Sequence, residues 1–215
     1  MKNEKKNTCR YLLIGTNNPG KFKEIKEILR GLKTKFVMPK TLGINAAPAE
    51  TGSTHLQNAK IKAKFFHKKS NELPTLAEDS GIEVKYFKNQ LGHKTRRWGK
   101  GEKASDHTWL NHFLKEMKNV PRNKRGAEFK CCAVLIWQDK PHIFYGSCKG
   151  KITRHIEAPI LKGLPLSSCF KPNESKKVYA ALSTKEKNRI SHRGKAIRKA
   201  KTFLEKQMAQ TNNFL

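Results

Sequence analysis

The chain is poor in acidic residues: 17 Asp and Glu stand against 46 Lys and Arg, a formal net charge of +29 over 215 residues. It also lacks any apolar run near the ~18 residues that a membrane-spanning helix requires. The apolar segment that follows the N-terminal lysines, at residues 11–14, is too short for the core of a signal peptide. We therefore expect no membrane span and a cytoplasmic protein.

Cysteine pairs with metal-site spacing are also missing. The five cysteines are odd in number and contain no CxxC pair, which argues against a zinc site and against a disulfide framework. Internal repeats and linker-like segments are absent too, and the length suits one large domain or two small ones. We predict a single domain over residues 1–215, with residues 1–9 flexible.

The excess of positive charge bears on binding partners. It favours polyanions, so the chain is either a nucleic-acid-binding protein or an enzyme for phosphorylated substrates. The charge is spread along the whole length, without a helix-turn-helix signal or an RNA-binding aromatic strand. This favours the enzyme, and nucleic acid stays as an open alternative.

The apolar pattern predicts an α/β fold. Strand candidates at residues 11–15 and 36–37 alternate with helices at 21–32 and from residue 53 or 54. A helix at 106–117, a strong strand at 125–137 and two further strands at 143–145 and 146–152 follow. A loop covers residues 159–172, and one or two helices begin after Ser183. This order predicts a mixed sheet with helices on its faces.

Residues 76–84 (Leu-Ala-Glu-Asp-Ser-Gly-Ile-Glu-Val) read as strand, tight turn and strand, with Glu78 and Asp79 at the turn. Two adjacent carboxylates repel each other unless a positive group lies close by. Mg²⁺ is one such partner, because it prefers oxygen ligands and completes its shell with substrate phosphate. The alternative is a solvated acidic turn, which is the commoner case for this pattern alone.

Two further segments carry candidate site residues. Residues 16–20 form a turn-rich loop before a helix, which offers N–H groups and Lys21 to an anion, or is simply a strand-to-helix connection. Glu50 precedes a helix capped by Ser53 or Thr54, and it is either a helix-dipole partner or a metal ligand shared with Asp79.

In order along the chain, these segments resemble the inosine/xanthosine triphosphate pyrophosphatase family. The family's Thr-x-Asn-x-x-Lys-x-x-Glu matches residues 16–24, its Glu-x-Gly matches 50–52, and its Asn-Ala-x-x-Lys-Ala matches 58–63. Its Ala-Asp-Asp-Ser-Gly-Leu-x-Val matches 77–84, with Glu78 for the first Asp. Arg96 and Gly99 match the next motif, and Glu-Lys-Asn-x-x-Ser-His-Arg matches 186–193. One motif would mean little, whereas the five segments in order, with 50–52 and 58–63 counted together, are specific.

The resemblance implies an elongated sheet with two lobes and a cleft between them, a Mg²⁺ cofactor and a homodimer. It also implies hydrolysis of inosine, deoxyinosine or xanthosine triphosphate to the monophosphate and pyrophosphate. Asp79 would accept the proton of the attacking water and, with Glu50, bind the metal. The implied substrate-binding residues are Thr16, Asn17, Asn18, Pro19, Gly20, Lys21, Asn58, Lys62, Ser80, Arg96, Lys187, His192 and Arg193. Without the other motifs, residues 191–193 would read as a capped, solvated helix start.

The sequence departs from the family in three places, which leave the metal and phosphate half of the site nearly intact and alter the half that would bind the base. Residues 163–170 replace the usual Gly-Phe-Gly-Tyr-Asp-Pro-x-Phe, Ala181 replaces an acid, and the residues on both sides of Arg96 differ. We assign no base-binding role to residues 164–168. Two alternatives therefore remain: the same chemistry with another base preference, or a nucleic-acid-binding protein on a decayed enzyme fold.

Overall fold

The helices and strands follow the predicted order in a computed structural model that describes residues 11–101 and 103–212. The strands are β1 Tyr11–Ile14, β2 Lys35–Val37, β3 Thr75–Val84, β4 Gly126–Trp137, β5 Lys140–Ile152 and β6 Phe170–Pro172. The helices are α1 Pro19–Ile28, α2 His55–Lys69, α3 Asp106–Glu116, α4 Thr184–Ile190 and α5 His192–Asn212. The predicted mixed α/β fold is confirmed.

The six strands form one sheet in the order β2-β1-β3-β4-β5-β6. The three strands β2, β1 and β3 run parallel, whereas β3 to β6 pair antiparallel. Strand β1 pairs with β3 only as far as Leu76, but β4 pairs with β3 along its whole length. The remainder of β3 therefore has one edge without a neighbouring strand.

Strand β4 is buried on both faces, which explains its continuous apolar run. Cys131, Ala133 and Leu135 pack with residues of α1 and α5 on one face. Cys132 and Val134 pack against α2 on the other. Since side chains alternate along a strand, one apolar run supplies two separate helix-packing surfaces.

The tight turn predicted within residues 76–84 is wrong, because β3 is one continuous strand. Ser80 and Gly81 stay paired with Cys131 and Lys130 of β4. Gly81 is needed for another reason: a Cβ there would lie 1.9 Å from the carbonyl oxygen of Gly92. The glycine thus admits a crossing loop instead of reversing the chain.

The two strands predicted at 143–145 and 146–152 are also a single strand, β5. It forms a hairpin with β4 through Gln138 and Asp139, whose φ angles are 49° and 62°. Two successive positive φ angles match the twist of a two-residue hairpin turn. The predicted loop at 159–172 in fact contains a 3₁₀ helix, Pro165–Ser168, and β6.

Two of the apolar clusters mark the two lobes of the fold. One gathers Trp109 and Phe113 of α3 with Phe170 of β6. The other gathers residues of α1 and α5 around β1 and β4. A cleft lined by residues of both halves lies along the free edge of β3, as the resemblance implied.

None of the helices among residues 11–101 and 103–212 combines the length and the apolar composition of a membrane span. The flexibility predicted for residues 1–9 lies outside the described residues. That residues 1–215 form a single domain stays a prediction.

Candidate active site

The cleft contains a cavity of about 460 Å³, a size typical of small-molecule sites. Its walls come from the β1–α1 loop, the segment before α2, β3, the loop before β6, and the α4–α5 junction. Of the residues proposed from the sequence, those that line it are Thr16, Asn17, Asn18, Lys21, Glu50, Lys62, Asp79, Ser80, Arg96, Lys187, His192 and Arg193.

The adjacent acids Glu78 and Asp79 do not share a site, because successive side chains of a strand point to opposite faces. Glu78 points towards α1 and α5, where its carboxylate lies 2.7 Å from the ammonium of Lys21. Asp79 points towards α2 and contacts Lys62. Each acid therefore has its own cation, and the repulsion expected between neighbours is avoided.

At one end of the cavity, the ammonium of Lys62 joins carboxylates from two separate segments. It lies 2.9 Å from Oε1 of Glu50 and 2.9 Å from Oδ1 of Asp79. The second oxygen of Asp79, Oδ2, lies 2.6 Å from Nδ1 of His55. Lys62 thus links Glu50 and Asp79 within one cleft, and the metal that the sequence assigns to the two acids stays a prediction.

These contacts decide the charge of Asp79. Burial alone would raise its pKa, but the hydrogen bond from His55 and the charge of Lys62 outweigh burial and lower the pKa below its usual value. Burial disfavours the charged form of Lys62 as well, yet Asp79 and Glu50 raise the pKa of that ammonium. Both groups are therefore ionised at neutral pH.

Two side chains, Asn58 and Arg97, fix the loop that carries Glu50 by hydrogen bonds to its backbone. Asn58, fully buried in α2, accepts a hydrogen bond of 2.8 Å from the backbone N–H of Gly52. Arg97 donates to the carbonyl oxygen of Glu50 at 3.0 Å. Asn58 does not line the cavity. Its hydrogen bond supports the loop that carries Glu50, and its predicted contact with substrate stays a prediction.

The β1–α1 loop is built around Asn18. Its Oδ1 caps α1 by accepting from the N–H of Lys21 at 3.0 Å, and its Nδ2 donates to the carbonyl of Gly163 at 3.0 Å. Pro19 and Gly20 form the first turn of α1 outside the cavity lining. A Cβ on Gly20 would meet the carbonyl of Lys162 at 2.6 Å, so the glycine allows close packing of the two loops. Its predicted contact with substrate stays a prediction.

A buried ionic cluster lies on the other side of β3. Glu24 contacts both the guanidinium of Arg193 and, at 2.5 Å, the ammonium of Lys187. Arg193 also donates to Oγ of Ser80 at 2.9 Å and lies 3.6 Å from Glu78. Although burial would raise it, Arg193 and then Lys187 lower the pKa of Glu24. The cluster therefore holds two cations in the cavity wall.

The remaining wall is aromatic. The ring of His192 stacks on Phe129 with centroids 4.5 Å apart and planes 10° from parallel. Burial first, and then the charge of Arg193, hold the pKa of His192 well below its usual value, so the ring is neutral. Its Nδ1 is buried without a hydrogen-bond partner among the described residues. This wall can stack against a planar group and offer it a polar atom.

The family model of the Ham1 family matches residues 12–203, which include all the motifs that line this cleft. The chain belongs to the Ham1 family. It is 35% identical to a dITP/XTP pyrophosphatase of Caldanaerobacter subterraneus over 93% of this chain and 98% of the relative. It is 33% identical to the dITP/XTP pyrophosphatase of Vibrio parahaemolyticus, over 93% and 98%. The resemblance found in the sequence is confirmed.

Solved Ham1 structures share the fold. The HAM1 protein of Coxiella burnetii superposes with a TM-score of 0.77 at 30% identity, covering 91% of this chain and 98% of that one. The Ham1 protein of Staphylococcus aureus gives a TM-score of 0.75 at 29% identity, covering 92% and 99%.

Several residues of this Ham1 site were not assigned from the sequence. Glu24 was part of a quoted motif, and its place one turn after Lys21 on α1 was an available signal. Arg97 was noted only as a departure. His55 and Phe129 carry no local signal, because only strand pairing and the packing of α2 bring them to the site. The loop before β6 also lines the cavity, with Leu164, Pro165, Leu166 and Ser167, although no role was assigned to it.

The carboxylate oxygens near Lys62 are the kind of ligand that a hard cation such as Mg²⁺ prefers. Glu50 and Asp79 offer carboxylate oxygens from two segments, and Mg²⁺ is commonly held by one or two carboxylates with substrate phosphate completing its shell. Among the described residues, no group of three or more His, Cys, Asp and Glu is arranged to hold a metal. The residues therefore fit a Mg²⁺ that is held jointly by protein and substrate.

Proposed function

We propose that this chain hydrolyses purine nucleoside triphosphates with a non-standard base (ITP, dITP and XTP) to the monophosphate and pyrophosphate. The observation that carries the proposal is the meeting of Glu50, Lys62 and Asp79 at one end of a cavity whose other walls are cationic and aromatic. The names of the relatives, dITP/XTP pyrophosphatase, support the same reaction.

Glu50 and Asp79 are the residues that would hold Mg²⁺. When bound, the ion would neutralise charge on the phosphate oxygens during attack. Lys62 lies between the two carboxylates, so we expect its ammonium to move towards a phosphate oxygen when the nucleotide binds.

The chain's own groups account for the rest of the reaction. Ionised Asp79 accepts a proton from the water that attacks the α-phosphorus, and the bond to the β-phosphate oxygen breaks to release pyrophosphate. Lys21, Lys187 and Arg193 hold the phosphate chain, because fixed cations stabilise the charge that develops there. The buried ion pairs keep these cations in place before substrate arrives.

The aromatic wall is where we place the base. Neutral His192, stacked on Phe129, can lie against a purine and direct a polar atom at its edge. A second candidate keeps the chemistry and changes the base preference. It is favoured by the aliphatic side chains of Leu164 and Leu166 in the cavity lining, where the family usually has aromatic residues.

The experiment is a panel of nucleoside triphosphates assayed for pyrophosphate release with Mg²⁺. We expect kcat/KM for ITP, dITP and XTP to exceed that for ATP and GTP by about tenfold or more, the discrimination that one or two hydrogen bonds provide. Equal turnover of ATP and ITP would favour the second candidate. No turnover of any triphosphate would refute the proposed activity.

Asp79→Asn tests the role of the carboxylate, and Asp139→Asn is its matched control. Asp79→Asn keeps the shape of the side chain and removes its capacity to accept a proton, so pyrophosphate release should fall at least a thousandfold, on the order seen when a reacting group is lost. Asp139→Asn, an exposed carboxylate at the β4–β5 turn, should leave the rate unchanged.

We also propose a homodimer and a cytoplasmic location. Ile143 and Tyr145 lie two apart on β5 and are exposed, which supports a contact with a second copy; sedimentation of the purified protein tests it. Four cysteines, Cys131, Cys132, Cys148 and Cys169, are buried and free in the structure, which suits a reducing compartment.

A further inference from the structure

His55 is the first residue of α2, and its place is set by the cap of that helix. Oγ1 of Thr54 accepts from the backbone N–H of Gln57 at 3.2 Å, which fixes where α2 begins. From that position the imidazole reaches across to β3. Its side chain is 15% exposed, and its Nδ1 lies 2.6 Å from Oδ2 of Asp79.

The direction of this hydrogen bond follows from the charge of its partner. Asp79 is ionised and can only accept, so the proton lies on Nδ1 of His55. The other ring nitrogen, Nε2, is buried and has no hydrogen-bond partner in the part of the chain that the structure describes. The ring of His93 stands edge-on to His55 with centroids 6.4 Å apart. Among the described residues, Asp79 is therefore the one hydrogen-bond partner of the imidazole.

The orientation of an Asp carboxylate is not set by its own bonds, because the torsion about Cβ–Cγ has a broad minimum. At Asp79 two donors on α2 determine it: Lys62 at Oδ1 and His55 at Oδ2. We expect Lys62 to turn to phosphate when substrate binds. His55 would then be the remaining protein donor that holds the carboxylate in place.

We propose that His55 is a positioning residue that donates from Nδ1 to Asp79 and fixes the carboxylate for proton acceptance from the attacking water. This inference rests on the proposed function. His55 does not line the cavity, so it acts through Asp79 and not on the nucleotide.

Three substitutions separate the hydrogen bond from the shape of the ring. His55→Phe keeps a ring and removes the donor. His55→Asn places an amide N–H at the same distance along the side chain as Nδ1, whereas His55→Gln places it where Nε2 would be. We expect kcat for ITP to fall about ten- to hundredfold in the Phe and Gln variants, as for other residues that orient a reacting group. The Asn variant should recover to within about threefold of wild type by the same reasoning.

KM distinguishes positioning from a merely structural role. Among the described residues, Asp79 is the only cavity-lining residue to which His55 is hydrogen-bonded. KM should therefore stay nearly constant while kcat falls. His67→Phe is the control: His67 is on the same helix, 14% exposed and hydrogen-bonded to the carbonyl of Leu73, away from the cavity. It should keep the wild-type kcat. Wild-type kcat in His55→Phe, or an Asn variant no better than Gln, would overturn the proposal.

A measurement that needs no turnover tests the hydrogen bond directly. In protein labelled with ¹⁵N-histidine, long-range ¹H–¹⁵N spectra should show Nδ1 of His55 protonated, with the signal identified by its loss in His55→Gln. Asp79→Ala should remove the exchange protection of that proton. An unprotonated Nδ1 in the wild type would refute the inference. If the wild type releases no pyrophosphate, the proposed function is wrong, and these spectra alone decide whether His55 is bound to Asp79.

Discussion

Replacing Glu24 with Gln should destabilise the protein in the absence of nucleotide. Glu24 is the carboxylate that faces both Lys187 and Arg193 in the cavity wall. The amide of Gln has nearly the same shape but no charge. The substitution therefore leaves two buried cations with weaker partners while the packing stays almost unchanged.

The size of the destabilisation depends on the hydrogen-bond and ionic partners that Arg193 and Lys187 retain in the variant. Removing one partner of a buried ion pair costs about 3–5 kcal/mol. Arg193 still has Ser80 and Glu78, and Lys187 still has Ser167 at 3.4 Å. We therefore expect the lower end, about 3 kcal/mol. In a chain of this length each kcal/mol shifts Tm by about 2–4 °C, so Tm should fall by about 6–12 °C.

The carboxylate of Glu24 also makes the stability of the protein depend on pH. Its pKa is lowered in the folded state from an ordinary value of 4.5. The unfolded chain therefore binds the proton first as the pH falls, and the stability contributed by Glu24 is present above about pH 4.5 and lost below it. The difference in Tm between wild type and Glu24→Gln should shrink as the pH is lowered through that range.

The assay is thermal unfolding followed by circular dichroism, with Glu27→Gln as the matched control. Glu27 is on the same helix and pairs with Arg30, but the Arg30 side chain is 77% exposed and that of Glu27 34%. The control should therefore cost less than about 0.5 kcal/mol. Pyrophosphate should restore more stability to Glu24→Gln than to wild type, since it supplies the missing negative charge. If Glu24→Gln is as stable as Glu27→Gln, the argument about buried cations is refuted.

Three further predictions test the fold and the site. Gly81→Ala should destabilise the protein by about 3 kcal/mol or more, because the new Cβ overlaps a backbone oxygen, whereas Gly126→Ala, with open space around it, should be nearly neutral in urea unfolding. The depressed pKa of His192 means that the folded state resists its protonation, so Tm should fall as the pH drops below about 6.5; His192→Gln should lose this slope. Asn58→Ala should lower kcat/KM about tenfold by freeing the loop that carries Glu50, and Asn58→Asp, which keeps the acceptor oxygen, should recover most of the activity.

Much of the fold could be predicted from local patterns. The alternation of strands and helices, the cap at Ser183 and the doubly buried strand β4 follow from apolar periodicity and short-range hydrogen bonds. The secondary-structure predictions were wrong at glycines, which are compatible with more than one local structure. Gly81 is typical of a turn, yet it allows a close backbone approach, and Gly146 divides an apolar pattern without ending β5. In both cases the deciding partner lies outside the local segment: Gly92 for Gly81, and the start of α5 for Gly146.

The candidate site was likewise predictable in part: its location followed from the motifs, but the role of each residue did not. The motifs predicted that acids and cations would gather at one cleft, and most of them do. Asn58 and Gly20 lie outside the cavity lining, and their predicted contact with substrate stays a prediction. A short motif does not separate a residue that binds from one that supports the binding residue. The metal, the dimer and the preferred base stay predictions.

The amino-acid order by itself determined the sequence of strands and helices, the excess of positive charge and the set of polar residues available for chemistry. Tertiary structure alone decided that neighbouring Glu78 and Asp79 face opposite sides of the sheet, and that Asp79 meets His55 and Lys62. The reason is physical: a strand alternates its side chains, and what each one meets depends on which helix packs on that face, a choice made by the whole chain.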